Sequence, residues 1–91
     1  RILVIDDDEL VRSGLAADLD REGFAVETAD CGEAGLAALA RAPADLVLCD
    51  LVLGDIDGIE VLRRIKTQWS ETAVVMITGH GTIRNALDAL R

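Results

Sequence analysis

Ile2-Leu3-Val4-Ile5-Asp6-Asp7-Asp8 stands at the start of the chain: four branched aliphatic residues in unbroken succession, then three carboxylates. A continuous apolar run rich in β-branched side chains predicts a strand covered on both faces, as in parallel sheets. Two later runs also end on a side chain carrying oxygen, Asp45 to Cys49 on Asp50 and Val74 to Ile77 on Thr78. If the three runs are neighbours in one parallel sheet, Asp6, Asp7, Asp50 and Thr78 gather at its carboxyl edge, where open α/β sheets take ligands.

The intervals between these runs change period. Val11, Leu15 and Leu19 recur every fourth residue, which predicts a helix, and Gly23 supplies the αL residue that ends one. Phe24 to Thr28 reads as a second strand with Phe24, Val26 and Thr28 on one face. Gly32 to Ala42 is rich in alanine and leucine and reads as a helix stopped by Pro43, after which Asp45 to Cys49 is the third strand. Leu51 to Gly58 holds two glycines and two aspartates and is expected to be a loop. Ile59 to Trp69 is helical in spacing through Val61, Leu62, Ile65 and a last anchor at Trp69, and Ala73 to Ile77 is a fourth buried strand. Gly79, His80 and Gly81 form a turn, and Thr82 caps a final helix whose apolar face is Ile83, Ala86, Leu87 and Leu90. Alternation of strand and helix predicts right-handed βαβ crossovers on a doubly wound, open parallel α/β sheet.

Ninety-one residues, 51% of them hydrophobic and 29% charged, suit one globular domain. With 17 acidic residues against 9 basic ones the formal charge is -8, which repels nucleic-acid phosphates and anionic lipid. Arg63, Arg64 and Lys66 form the one basic group, flanked by acidic and apolar residues, and are expected to be a solvated helix face. Direct nucleic-acid contact is therefore not expected. No apolar run approaches the roughly 20 residues that cross a bilayer, and no signal peptide precedes the first strand, so a cytoplasmic location without membrane contact is expected. Cys31 and Cys49 fall in different elements and are expected to be reduced, with Cys49 packed inside its strand. Because Arg1 leads straight into a strand with no initiator Met, the chain is expected to be a piece of a longer one.

Carboxylates on neighbouring strand ends lie about 5 Å apart, the strand spacing, and at an effective dielectric of about 20 each ionised pair repels by roughly 3 kcal/mol. Three such charges require either bound protons or a divalent cation, and Mg2+ with retained waters suits two or three hard oxygen ligands. A carboxylate left free by the ion can act as a nucleophile toward phosphorus. The Thr78 hydroxyl and the unobstructed Gly79 N–H are candidate donors to a phosphoryl oxygen. Asp8 is equally placed to cap the first helix.

Val4-Ile5-Asp6-Asp7-Asp8 with Arg12, Leu48-Cys49-Asp50 followed by Asp57-Gly58, and Met76-Ile77-Thr78-Gly79 together resemble the receiver domain of bacterial two-component response regulators, over the whole length of residues 1–91. The resemblance implies a flavodoxin-like fold with strand order 2-1-3-4, its fifth strand and last helix lying beyond Arg91. It implies that Asp50 accepts a phosphoryl group from a phosphohistidine on a sensor histidine kinase. Asp6, Asp7 and Asp50 then hold Mg2+, with the Val52 backbone carbonyl as a further ligand, and Thr78 is the switch hydroxyl. On this reading phosphorylation draws Thr78 inward and repositions the Thr82 to Arg91 helix, relaying the signal to an output domain, expected to bind DNA, on the same parent chain. The domain takes up and loses its own phosphoryl group rather than turning over a substrate, and a homodimer is a further expected assembly. His80, two residues past Thr78, is a candidate modulator of the lifetime of the phosphorylated state.

Two features depart from the family pattern. Gly54 replaces the family's usual proline four residues after the acceptor, and the family's strand-end lysine falls beyond Arg91, since Lys66 is on a helix. Two other readings compete. Asp6 to Asp8 also fit the Asp-x-Asp pattern of haloacid-dehalogenase-like phosphatases, with Asp6 as nucleophile and Asp8 as general acid and base, which leaves Asp50 without a role. The absent lysine also suits a receiver-like docking module that takes up no phosphate.

Overall fold

The computed structural model describes residues 1–77; Thr78, Gly79, His80 and the expected Thr82 to Arg91 helix lie outside the described residues. The elements run β1 (Ile2–Ile5), α1 (Glu9–Arg21), β2 (Val26–Ala29), α2 (Gly32–Arg41), β3 (Leu46–Asp50), α3 (Gly58–Gln68) and β4 (Ala73–Ile77). All pairings are parallel and the strand order is β2-β1-β3-β4, the expected doubly wound α/β arrangement.

The unbroken apolar runs are explained by two cores, one on each side of the sheet. Leu3 and Ile5 of β1 join Val47 and Cys49 of β3 against Ala38 and Leu39 of α2 and Val61 and Ile65 of α3. The alternate residues Ile2, Val4 and Leu48 face Leu15 and Leu19 of α1, together with Ile77. Chain order forces this division: right-handed crossovers from β1 outward to β2 and back across to β3 put α1 and α2 on opposite faces, and α3, which continues in the same direction to β4, joins α2. The reversal of winding direction falls between β1 and β3, and that is where a crevice opens at the carboxyl edge.

Helix ends follow local chemistry with one exception. Asp8 caps α1, its side chain accepting from the Leu10 and Val11 N–H groups, and Gly23 takes φ 96° just past the end of the helix. Asp57 caps α3 by accepting from the Glu60 N–H at 3.0 Å. Cys31, the residue before α2, makes no capping bond with its side chain. Asp55 takes that part from the loop after β3, accepting from Gly32 N at 2.9 Å and Glu33 N at 2.8 Å. The Glu33 bond and then the Gly32 bond hold the Asp55 carboxyl well below the usual carboxylate range.

The second strand departs from expectation. It runs Val26–Ala29, two residues into the expected Phe24 to Thr28 segment, and Phe24 and Thr28 are exposed. Its place at the sheet edge removes the need for one apolar face: Val26 packs on the α1 side and Ala29 on the α2 side, while Glu27 between them pairs with Arg1 and Arg41. β4 matches its expected span, although Ala73 is exposed and only Ile77 is fully buried. The basic group is neutralised as a helix face. Arg63 and Arg64 both bind Glu60, and Lys66 donates to the Thr72 carbonyl at 2.7 Å.

Gly58 opens α3 against the backbone of the residues that end β3. A Cβ there would meet the Asp50 carbonyl oxygen and come within 2.8 Å of Leu51 Cα, and the Gly58 N–H donates to the Leu51 carbonyl at 3.0 Å. Gly58→Ala is therefore expected to cost about 2 kcal/mol in urea denaturation, because backbone cannot yield as a side-chain tip can. Gly54→Ala, where no atom lies within 4 Å, is expected to be neutral or to stabilise by about 0.5 kcal/mol. Asp55→Ala should cost about 1 kcal/mol near pH 7, as loss of a helix cap does. A carboxyl whose folded-state pKa is lowered stabilises above its unfolded pKa and loses that contribution as pH falls through the folded value. The gap between wild type and Asp55→Ala in acid titrations of stability should thus close below the ordinary carboxylate range.

Candidate functional site

Asp6 is the first residue past β1, and Asp50 is the last residue of β3. Ile5 pairs with Cys49, so one step further along both strands the two aspartates emerge side by side at the same edge. Asp7 follows in the turn toward α1, and each of the three offers a carboxylate oxygen within 4.8 Å of the others. The strand-spacing argument predicted this separation.

Burial grades the three. Asp6 is 3% exposed, Asp50 is half-buried and Asp7 is open to solvent. Burial is the main influence on Asp6 and raises its pKa; the charges of Asp50, Asp7 and Asp8 add to the rise, while the bond from the Asp8 N–H at 2.9 Å opposes it. Asp50 Oδ1 accepts the Val52 N–H at 3.3 Å, which orients the carboxylate toward the loop that follows β3. Beneath them Cys49 is fully buried, and burial, then Asp50 and Asp6, push its thiol up to about 12. It stays protonated, and both cysteines are free.

The donor set is hard oxygen on all sides, and among the described residues no salt bridge reaches Asp6, Asp7 or Asp50. Three clustered carboxylates, none with a cationic partner among the described residues, fit a divalent cation of the Mg2+ type. The third consecutive aspartate, Asp8, has its side chain committed to the α1 cap and offers no ligand oxygen to the cluster.

A family model described as the response regulator receiver domain matches residues 2–91. The chain belongs to this family. Among relatives of the receiver, the transcriptional regulatory protein QseB of Haemophilus influenzae is 38% identical over 91 residues, which is all of this chain and 41% of QseB. The crystal structure of the receiver domain of NtrX from Brucella abortus superposes with a TM-score of 0.84 at 40% identity, covering 100% of this chain and 78% of that one. TrrA from Thermotoga maritima, solved in complex with Mg2+-BeF, gives a TM-score of 0.83 at 31% identity over 99% of this chain and 78% of that one. The receiver thus spans less than half the length of the curated relative it matches here.

Of the residues singled out in the sequence, Asp6, Asp7 and Asp50 come together, and Val52 lies two residues past Asp50 with its side chain exposed. Thr78, Gly79 and His80 lie outside the described residues, although Ile77, immediately before Thr78, is the cross-strand partner of Asp50. Three residues gained roles that sequence reasoning had not given them. Arg12 Nη1 donates to the Asp6 backbone carbonyl at 2.8 Å, tying α1 to the turn that carries the acids. Its spacing from the Asp8 cap, one helical turn on, is a signal that was available. Gly58 earns its glycine through the approach to Asp50, and Asp55 caps a helix more than twenty positions away in sequence, which no local pattern announces.

Repulsion inside this cluster should be measurable. In metal-free buffer at pH 7, Asp7→Asn and Asp50→Asn are each expected to raise stability toward urea by about 1 kcal/mol, after solvent screening of a pair term near 3 kcal/mol. Added MgCl2 should raise the melting temperature of wild type more than that of either variant. Equal metal-free stabilities of all three proteins would show that the charges do not interact.

Proposed function

We propose that the receiver is a phosphorylation-dependent signalling switch that accepts a phosphoryl group on Asp50. The observation that carries this reading is the convergence of Asp6, Asp7 and Asp50 at one sheet edge, with Asp50 the half-buried member at the end of β3. Asp50 supplies the nucleophilic carboxylate oxygen, and an O–P bond forms as the P–N bond of a donor phosphohistidine breaks. Asp6 and Asp7, with Asp50 and the Val52 backbone carbonyl, would hold Mg2+, which when bound neutralises charge on the transferred group. The Mg2+-BeF complex of the related TrrA supports this assignment. Thr78 and Gly79 are proposed as the switch hydroxyl and backbone donor to the phosphoryl oxygens, and His80 as a modulator of its hydrolysis.

The partners proposed are a sensor histidine kinase in the cytoplasm and an output domain of the transcriptional type on the same parent chain. Leu10, Val52 and Ile59 are exposed at 85%, 72% and 55%, each within a few positions in the chain of one of the three acids or of the loop after β3, and large exposed apolar side chains of this kind suit contact with a protein donor. The phosphatase reading is disfavoured by two observations. Asp6, its nucleophile, is buried, and Asp8, its general acid and base, is occupied in capping α1.

Incubation with phosphoramidate and Mg2+ followed by peptide mass analysis should place one phosphoryl group on Asp50, labile to base and to hydroxylamine as an acyl phosphate is. Uptake should fall at least 100-fold in Asp50→Asn and should require Mg2+ in wild type, as expected for loss of a covalent nucleophile. Labelling of Asp6 instead would overturn the assignment, and failure of wild type to take up phosphate would favour a docking module.

A further inference from the structure

The loop between β3 and α3 starts directly after Asp50 and carries Val52, whose N–H bonds the Asp50 carboxylate, and its far end is fastened to α2 rather than to the sheet. Leu53 is buried in the core beneath it. Gly54 is open, with no atom within 4 Å of where a Cβ would stand. Asp55 then reaches across with both carboxylate oxygens, Oδ1 on Gly32 N at 2.9 Å and Oδ2 on Glu33 N at 2.8 Å. Ile56 seats on Gly32, where an added Cβ would lie 2.9 Å from its Cδ1. Gly35, one turn along α2, is packed as closely on Ile5, the residue before Asp6. The surroundings of two of the three acids therefore meet at the same helix: β1, which leads into Asp6, packs under α2, and the loop whose Val52 N–H bonds the Asp50 carboxylate is hooked to the α2 N-terminus.

We infer that Asp55 is a positioning residue for phosphoryl uptake, a tether that holds the β3–α3 loop against α2 so that Asp50 and Val52 keep their places opposite Asp6. The inference rests on the proposed role of Asp50. The bonds are bidentate and directed at the first two N–H groups of α2, so they fix the position of the carboxylate in two directions. With Gly54 free on one side and no capping side chain at Cys31 on the other, these are the side-chain hydrogen bonds that join the loop to an element other than the β3 and α3 it connects, among the described residues. Removing it leaves the ligands present but lets the loop shift, and supporting residues of this kind typically alter metal affinity or activity by about 10- to 100-fold.

The experiment separates tether from cap. Asp55→Ala removes both functions, whereas the double variant Asp55→Ala/Cys31→Ser restores a local cap, because Cys31 already has the extended backbone (φ -155°, ψ 169°) that a capping serine needs. Mg2+ affinity is read by titration calorimetry with MgCl2 alone, phosphoryl uptake by phosphoramidate labelling at saturating Mg2+, and stability by urea. The expected result is that Asp55→Ala loses about 10-fold in Mg2+ affinity and in uptake. Cys31→Ser should bring stability back while both losses remain. Asp55→Glu, which keeps the charge with a longer reach, should recover part of the affinity. If the double variant recovers Mg2+ affinity and uptake along with stability, or if Asp55→Ala never lost them, Asp55 is only a helix cap and the inference is wrong. Wild type that takes up no phosphoryl group would instead sink the Asp50 assignment, and the Mg2+ titration would still report on the tether.

Discussion

Mutual repulsion of Asp6, Asp7 and Asp50 is the constraint around which this domain is arranged. Nothing local obliges three acids at two strand ends to approach closely enough to share one ion. The approach is imposed by the apolar strands behind them, which pair in register because both of their faces must be covered. Hydrophobic burial distributed over many residues thus holds together a charge cluster that would otherwise disperse.

The acidic balance of the chain divides into two uses. Asp8, Asp55 and Asp57 lie at the N-termini of α1, α2 and α3, where N–H groups without helical partners and the positive end of the helix dipole favour a carboxylate. Glu60 is likewise accounted for, held down to about 2 by Arg63 and then Arg64. Asp6, Asp7 and Asp50 are left as the acids gathered without such partners. A site is recognisable here less by the presence of carboxylates than by the lack of a cationic partner for them among the described residues.

Backbone contacts give the site its precision. Gly58 brings α3 against Asp50, Arg12 ties α1 to the Asp6 carbonyl, and Asp55 hooks the intervening loop to α2. Each helix therefore touches the carboxyl edge through one polar or close contact, while its apolar face rests on the sheet. Such an arrangement lets a change of charge at Asp50 be felt by several elements without disturbing the core.

The strands β1, β3 and β4, the helix stop at Gly23 and the acids Asp6 and Asp50 were legible in the sequence, because an apolar run and the residue that ends it are neighbours in the chain. Asp7 was legible for the same reason, and so was the Asp8 cap. The face of β2 was misread: period two presumes one covered face, and an edge strand that places Val26 and Ala29 on opposite sides and Glu27 in an ion pair does not obey it. Sequence determined which segments are strands and which chemistry waits at their ends. Only the tertiary structure decided the 4.8 Å separation, the burial that sets Asp6 apart from Asp7, and the reach of Asp55 to α2. Those depend on strand register and helix packing, which bring together residues that no periodicity connects.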